Sequence, residues 1–382
     1  MKLLVIGTDI TIFHNGAEAR GRIEAYGRLF EELHTVIYTP SGFNNEILPS
    51  GARLYPTNSR FLFLRPFHAF QIGKKIIRER GVDMISVQDP AESGLAGWLL
   101  KIATGLPLHI QVHADFYSPY FRRNSWKEFI RYLLAQFIIP MGDYFRVVSQ
   151  RIKKSLNSKF KIPNFKITVL PIFVDRESIA SAKPSFDLHS RYPQFDFIIL
   201  MVSRFVREKN IPLALEALRR LMAEFPKTGL VIVGDGPELE SLKFSAEGGS
   251  ASGGKSLKLA GSVRFEGWQG DVTSYYKTAD LYLLTSNFEG YSRSAVEAAA
   301  AGLPIVMSDV GVAGEIIRNG QTGRVVTAGD ASALFAALSE ARRNYPAMKS
   351  MAERARREVL AMEPKTWAEY LRLYRQSLKE TA

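Results

Sequence analysis

Thr285-Ser-Asn-Phe-Glu-Gly-Tyr-Ser-Arg-Ser-Ala-Val-Glu-Ala-Ala-Ala-Ala-Gly-Leu-Pro304 reads as a polar turn leading from an apolar strand into a helix. Leu281 to Leu284 is strand-like, Ser292 and Ser294 are candidate N-caps, and Ala295 to Ala301 is strong helix former closed by Gly302, with Pro304 beyond. A helix beginning at Ser292 to Ser294 turns its backbone N–H groups and positive dipole end toward the ligand crevice of an open α/β sheet. A phosphate is the natural guest there. Glu289 and Glu297 bracket the turn; the second lies about one helical turn inside the helix, roughly 10 Å from the first, so the two cannot share a proton. That spacing suits two hydroxyl-rich parts of one long ligand, a sugar at Glu289 and a ribose at Glu297. Taken alone, the two glutamates read equally well as an acidic loop residue and a solvated helix residue.

Upstream, Met201-Val-Ser-Arg-Phe-Val-Arg-Glu-Lys-Asn210 ends the apolar run Phe197 to Val202 and delivers Arg204, Arg207 and Lys209 before a helix starting near Pro212. A planar guanidinium and a compact ammonium at a strand's carboxyl end make a two-point clamp for a diphosphate, although basic residues after a strand are also common on surfaces. Leu230-Val-Ile-Val-Gly-Asp-Gly-Pro-Glu238 is a buried-type strand broken by a turn at which backbone can approach a ligand. It lacks the Gly-x-Gly-x-x-Gly dinucleotide fingerprint, and a plain tight turn accounts for Gly234 and Gly236 taken alone.

Together these motifs resemble the family-four retaining glycosyltransferases of the GT-B fold, over nearly the whole chain. The resemblance rests on Ser203 to Asn210, Gly234-Asp-Gly-Pro-Glu238, Val263-Arg-Phe-Glu-Gly267, Ala279 to Ser286, the Glu289-x7-Glu297 element, Ala301 to Ser308 and Gly320-Gln-Thr-Gly323, in family order. It implies that Arg204 and Lys209 grip a donor diphosphate, that Glu297 binds the ribose, and that the Glu289 loop holds the transferred sugar with backbone N–H groups at Tyr291 to Arg293. The implied catalytic set is Arg204, Lys209, Glu289 and His113. The donor-binding set is Gly16, Gly234, Gly236, Trp268, Gly290, Tyr291, Ser292, Arg293 and Glu297. His113 closes the strand-like His109-Ile-Gln-Val-His113 and matches the family histidine that approaches the donor sugar, whereas His109 reads as structural. After the first strand the family carries paired glycines; His14-Asn-Gly-Ala-Glu-Ala-Arg-Gly-Arg22 offers only Gly16 in that place, with Arg20 and Arg22 as added charge or contacts to an anionic acceptor.

The expected fold class is α/β, two Rossmann-like doubly wound domains facing a central cleft. The chain, 382 residues with 46% hydrophobic content and a mean hydropathy of -0.06, is too long for one ordinary core and has the balance of a soluble globular protein. Strand candidates in the first half are Lys2 to Gly7, His34 to Thr39, Asp83 to Gln88, Leu108 to His113, Tyr144 to Ser149 and Ile167 to Ile172. In the second they are Phe197 to Ser203, Leu230 to Gly234, Val263 to Gly267, Leu281 to Ser286, Pro304 to Ser308 and Gly323 to Val326. The expected domains are 1–180 on the acceptor side and 195–363 on the nucleotide-sugar side. A polar linker spans Asp175 to Gln194, and a last helix over 364–382 returns, by resemblance, to the first domain. Gly248-Gly-Ser-Ala-Ser-Gly-Gly254 reads as a flexible inserted loop.

Zero cysteines exclude disulfides and thiolate chemistry, and six histidines without close spacing argue against a structural zinc site. Met1 to Thr8 carries only a six-residue apolar run and reads as a first strand, and no run approaches the roughly 20 residues that span a bilayer, so a cytoplasmic location is expected. A net charge of +12 and a pI near 9.7 call for an anionic partner. Between Arg122 and Ile139, Trp126, Phe129, Ile130, Leu133, Leu134 and Phe137 recur at helical spacing with Arg122, Arg123, Lys127 and Arg131 at the start. That is the pattern of an interfacial helix on the inner membrane face, although an apolar stripe at this period is more commonly that of an ordinary core helix. Arg60 to Arg80 adds a second basic and aromatic stretch, and no reader motif for nucleic acid is present.

A nucleoside diphosphate leaves with growing negative charge, so cationic side chains and a helix start suffice to stabilise it, and no cofactor or metal is expected; no Asp-x-Asp occurs. The donor is a nucleotide sugar and the acceptor a glycan or lipid-linked molecule. Three other readings share the fold: a nucleotide-sugar epimerase, a glycoside phosphorylase or synthase, and a non-catalytic nucleotide-sugar binder.

Overall fold

A computed structural model of the chain describes residues 1–249, 259 and 261–379, so residues 250–254 of the expected glycine-rich loop lie outside the described residues. Two compact units divide it: Met1–Pro171 with Trp367–Ala382, and Ile172–Thr366.

The first unit is built on eight strands, β1 Lys2–Gly7, β2 Glu32–Ile37, β3 Glu46–Ile47, β4 Arg53–Pro56, β5 Met84–Val87, β6 Leu108–Val112, β7 Tyr144–Val147 and β8 Ile167–Val169. Their order is β3-β4-β2-β1-β5-β6-β7-β8, parallel throughout except that β3 runs antiparallel to β4. The central strands are buried along almost their whole length, which is why the sequence shows them as continuous apolar runs. The sequence reading missed β3 and β4. A two-residue strand carries no periodicity, and Pro56 ends an edge-side strand where a proline demotes the signal.

One face of this sheet is polar. Arg146 of β7, itself buried, donates to Gln111 Oε1 at 2.9 Å, to the Leu170 carbonyl at 3.2 Å and to the Tyr370 hydroxyl at 2.7 Å. Its guanidinium also lies 5.4 Å from the Tyr374 ring centroid, and Tyr26 stacks on that ring at 4.3 Å. Neutral oxygens and ring faces thus solvate a buried cation. The helix Trp367–Lys379 supplies Tyr370 and Tyr374, so the last helix, which starts at Trp367, belongs with residues 1–171.

The second unit holds β9 Phe197–Val202, β10 Thr228–Val233, β11 Val263–Gly267, β12 Leu281–Leu284, β13 Ile305–Ser308 and β14 Arg324–Val326, all parallel in the order β11-β10-β9-β12-β13-β14. Phe197, Ile199 and Met201 pack with Ala214, Leu215, Leu218 and Leu221 of the helix Ile211–Glu224, whose apolar residues recur at three- and four-residue steps. Asp175 to Gln194 is not a linker. It folds into the short helices Arg176–Ser181 and Leu188–Arg191, N-capped by Asp175 and Asp187, and Ser185 N donates to Ser274 Oγ at 2.9 Å inside the second unit. The polarity that suggested a linker is that of the two caps, and the change of unit falls at Pro171/Ile172 rather than at residue 180 or 195.

Candidate active site

Strand order in the second unit reverses between β9 and β12: β10 and β11 lie to one side, β13 and β14 to the other. The loops leaving the carboxyl ends of β9 and β12 therefore border the crevice at a topological switch point. Lys209 follows β9 and Glu289 follows β12. Although 80 residues separate them, Lys209 Nζ lies 2.5 Å from Glu289 Oε1, which also accepts from Ser286 Oγ at 2.8 Å. Side chains of the two are only 15% and 14% exposed. Hydrogen bonds to backbone carbonyls fasten the loops: the Thr285 hydroxyl donates to that of Lys209 at 2.9 Å, and Asn287 N donates to that of Glu208 at 2.8 Å. Arg204 differs. Its side chain is 76% exposed and, among the described residues, pairs with Glu208 at 3.4 Å.

The helix Arg293–Ala301 follows the Glu289 loop, closed by Gly302 in the left-handed conformation. Ser292 occupies the N-cap position, but contrary to the sequence reading it does not cap: its backbone is left-handed (φ 70°) and its side chain makes no bond to the helix. Ser294 lies inside the helix and accepts the Tyr282 hydroxyl at 2.6 Å. Glu297, one turn in, is buried and doubly held, by Arg293 Nε at 2.7 Å and by the Tyr276 hydroxyl at 3.0 Å. The two glutamates thus have separate partners, as their spacing requires. Four buried hydroxyl oxygens at the carboxyl edge have no partner among the described residues: Ser203 after β9, Ser308 at the end of β13, and Tyr291 and Ser292 before the helix. Buried hydroxyls are ordinarily bonded, so this group is suited to an oxygen-rich ligand. Burial pushes the Tyr291 hydroxyl up to about 12, which keeps it a donor.

Gly234 and Gly236 serve a packing need. A Cβ on Gly234, whose φ is +137°, would stand 1.9 Å from the Ser203 carbonyl oxygen, and one on Gly236 would stand 2.5 Å from that of Phe205. Only glycine lets the β10 loop cross the backbone of residues 203–205, where Phe205 N donates to the Asp235 carbonyl at 2.8 Å. Trp268 stands exposed directly after β11, and Gly290 is buried between Glu289 and Tyr291. Sequence reasoning missed Ser286 and Tyr276. Ser286 was legible as a hydroxyl three residues from Glu289; nothing in the sequence marks Tyr276.

Gly16 and His113 belong to the first unit. Gly16 is exposed with φ +80° before the helix Glu18–Gly27. His113 follows β6 with an exposed ring; crowding by protein, and then the charges of Arg146, Arg22 and His109, push its pKa below the ordinary histidine value, and its solvent access moderates that shift. His109 is buried, its Nδ1 bonded to Ser86 Oγ at 2.9 Å, and burial pushes it down to about 3. Arg20 forks onto the Glu46 carboxylate and bonds the Ile12 carbonyl. Arg22 meets Glu18 at 2.9 Å.

The stretch 122–139 is two elements. Phe121–Asn124 forms a short turn of helix, and Ser125 caps a separate helix, Trp126–Ile138. Its apolar stripe is outside the core: Trp126, at 77%, and Phe129, Ile130, Leu133 and Phe137 are all exposed. Phe61, Leu62, Phe63 and Phe67 are exposed as well. Arg131, expected among the lipid-facing charges, is instead tied to Glu92 at 3.0 Å. No helix among the described residues is long and apolar enough to cross a membrane.

Family models match both units: glycosyltransferase family 4 over residues 24–178 and glycosyl transferases group 1 over residues 189–358. The chain belongs to the family-four, group 1 glycosyltransferases, and its fold is GT-B. It is similar to an Escherichia coli UDP-Gal:alpha-D-GlcNAc-diphosphoundecaprenol alpha-1,3-galactosyltransferase, 23% identical over 69% of this chain and 67% of that protein. It is also similar to the phosphatidyl-myo-inositol mannosyltransferase of Mycolicibacterium smegmatis, 32% identical over 69% of this chain and 63% of that protein. Among solved structures, Anabaena Alr3699/HepE in complex with UDP and glucose matches the fold with a TM-score of 0.70 at 17% identity, covering 100% of this chain and 99% of that one.

Proposed function

We propose that the protein is a retaining, metal-independent glycosyltransferase that moves a hexose-type sugar from a UDP or GDP donor to a glycan or lipid-linked acceptor in cell-envelope polysaccharide or glycolipid synthesis. The observation that carries this reading is the convergence, at one switch point, of Lys209, Glu289, a helix N-terminus and the buried Glu297 among unpartnered hydroxyls. The names of the relatives support it: one uses UDP-Gal and a diphosphoundecaprenol-linked acceptor, and another is a phosphatidyl-myo-inositol mannosyltransferase.

In this reading Glu297 accepts ribose hydroxyls, Lys209 and Arg204 meet the diphosphate, and Glu289 takes hydroxyls of the transferred sugar. The bond between the anomeric carbon and the diphosphate oxygen breaks while the acceptor oxygen bonds to the same face, and the acceptor proton passes to the departing phosphate. The cations and the helix end stabilise the leaving charge, Lys209 contributing about 3 kcal/mol to the transition state and the exposed Arg204 less. In the same reading His113, on the first unit, keeps the role of a neutral hydrogen-bonding histidine that the resemblance implies.

The exposed aromatic ridge of Trp126, Phe129, Ile130 and Leu133, with Arg122, Arg123 and Lys127 beside it, docks the first unit peripherally on an anionic leaflet where a lipid-linked acceptor resides. Binding to anionic vesicles is expected to fall with salt and to weaken in a Trp126→Ala, Lys127→Ala, Phe129→Ala variant; indifference of the wild type at low salt overturns this part.

The test of the whole is a thermal-shift screen of UDP-, GDP- and ADP-sugars, followed by turnover of the stabilising donor with envelope lipid extract. One donor class should raise the melting temperature and be consumed only with extract. Consumption without acceptor, yielding a free epimerised sugar, would instead identify an epimerase.

A further inference from the structure

Lys209 already has an anionic partner. Its ammonium is 2.5 Å from Glu289 Oε1, in a place where both side chains are some 85% removed from solvent, and the same oxygen takes the Ser286 hydroxyl at 2.8 Å. Thr285 and Asn287 bond the backbone of residues 208–210 and so tie the two loops together, and the pair is held and not a chance surface encounter. A diphosphate approaching Lys209 competes with that carboxylate for the same charge.

We infer that the Lys209–Glu289 ion pair is an exchange latch that favours the intact sugar donor over the spent nucleoside diphosphate and so drives product release. The inference rests on the donor site proposed above. With the sugar attached, its hydroxyls donate to Glu289 as the phosphate takes Lys209, so both partners of the broken pair are satisfied. After transfer the sugar is gone. Glu289 is then a largely buried carboxylate holding only the Ser286 hydroxyl, beside a phosphate of like charge, and leaving it so is costly. Re-forming the 2.5 Å pair with Lys209 relieves that cost and expels the diphosphate. The latch thus gives Glu289 a second task, distinct from holding the sugar: it sets the ratio of product affinity to donor affinity.

Calorimetry with the free nucleoside diphosphates UDP and GDP, on the wild type and on Glu289→Gln, tests this. Removing the competing carboxylate should tighten the free diphosphate about five- to tenfold, roughly 1 to 1.4 kcal/mol, while the sugar donor gains nothing or weakens. Product inhibition should deepen by the same factor. Glu289→Asp, which keeps the charge but retracts it by one methylene, should lie between the two and guards against a folding defect in the glutamine variant. Unchanged or weaker diphosphate binding in both variants overturns the latch. If neither UDP nor GDP binds the folded wild type, the donor site itself is wrong, a different result from failure of the latch alone.

Discussion

Lys209→Ala separates the roles of the two cations after β9. Lys209 is 15% exposed and bonded at 2.5 Å, whereas Arg204 is 76% exposed with one contact at 3.4 Å. Removing the ammonium leaves Glu289 with Ser286 alone; because the site retains some water, the expected loss of stability is about 1 to 3 kcal/mol, below the cost of breaking a fully buried pair. In a unit of this size that is a fall of a few degrees in melting temperature. In the proposed reaction the same ammonium faces the charge of the leaving diphosphate, a contribution of about 3 kcal/mol, hence an expected loss of roughly 100- to 1000-fold in kcat/KM. Arg204→Ala should leave the melting temperature within about 1 °C, since exposed pairs contribute little, and should slow turnover less than Lys209→Ala does. A double variant, Lys209→Ala with Glu289→Gln, should be no less stable than Lys209→Ala alone, because the stranded carboxylate is gone. Steady-state kinetics with the identified donor and thermal unfolding read both quantities. A kcat/KM for Lys209→Ala within threefold of wild type, or an Arg204→Ala defect larger than that of Lys209→Ala, would refute the assignment.

If Glu297 takes the ribose as proposed, Glu297→Gln should weaken binding of the nucleoside diphosphate itself about tenfold through loss of a charged acceptor, while Tyr276→Phe should have a milder effect in the same calorimetry. Gly234→Ala places a Cβ 1.9 Å from the Ser203 carbonyl oxygen, so it should lower the unfolding midpoint sharply and disturb the loop that carries Lys209, which circular dichroism melts and donor binding can follow together. His109 sets a pH dependence: its folded pKa, near 3, lies below the unfolded value of about 6.5, so its contribution is intact above pH 6.5 and is lost as pH falls toward 3, at up to about 1.4 kcal/mol per pH unit. Denaturant titrations of His109→Gln should show a shallower decline through that window than the wild type.

The chain wrote its parallel strands plainly because both faces of each sheet are covered: a run such as Phe197 to Val202 needs no partner to be read as a buried strand. The helix beginning near Ser292 was equally legible, since Ala295 to Ala301 and Gly302 are local signals of propensity and capping. Short-range chemistry misled where tertiary packing overrode it. Ser292 looked like a cap, yet Gly311 approaches so closely that a Cβ there would stand 2.1 Å from Ser292 Oγ, and the serine adopts a left-handed backbone instead. The stripe of Trp126, Phe129, Ile130 and Leu133 has the period of a core helix; only the tertiary fold leaves it facing outward, because periodicity reports which residues share a face and not what covers it.

Sequence by itself determined the strand and helix alternation, the residue types gathered at strand ends and, through the order of its motifs, the family. It could name Lys209 and Glu289 as candidates, but could not tell that they are each other's partners. That was decided by the strand order: β9 and β12 become neighbours at the point where the sheet reverses direction, and this brings residues 80 apart into hydrogen-bonding contact. The same holds for Arg146, unremarkable in sequence, whose burial beneath Tyr370 and Tyr374 assigns the last helix to the first unit. Local propensity is read from neighbours in the chain, whereas burial and pairing depend on neighbours in space, which only the tertiary fold supplies.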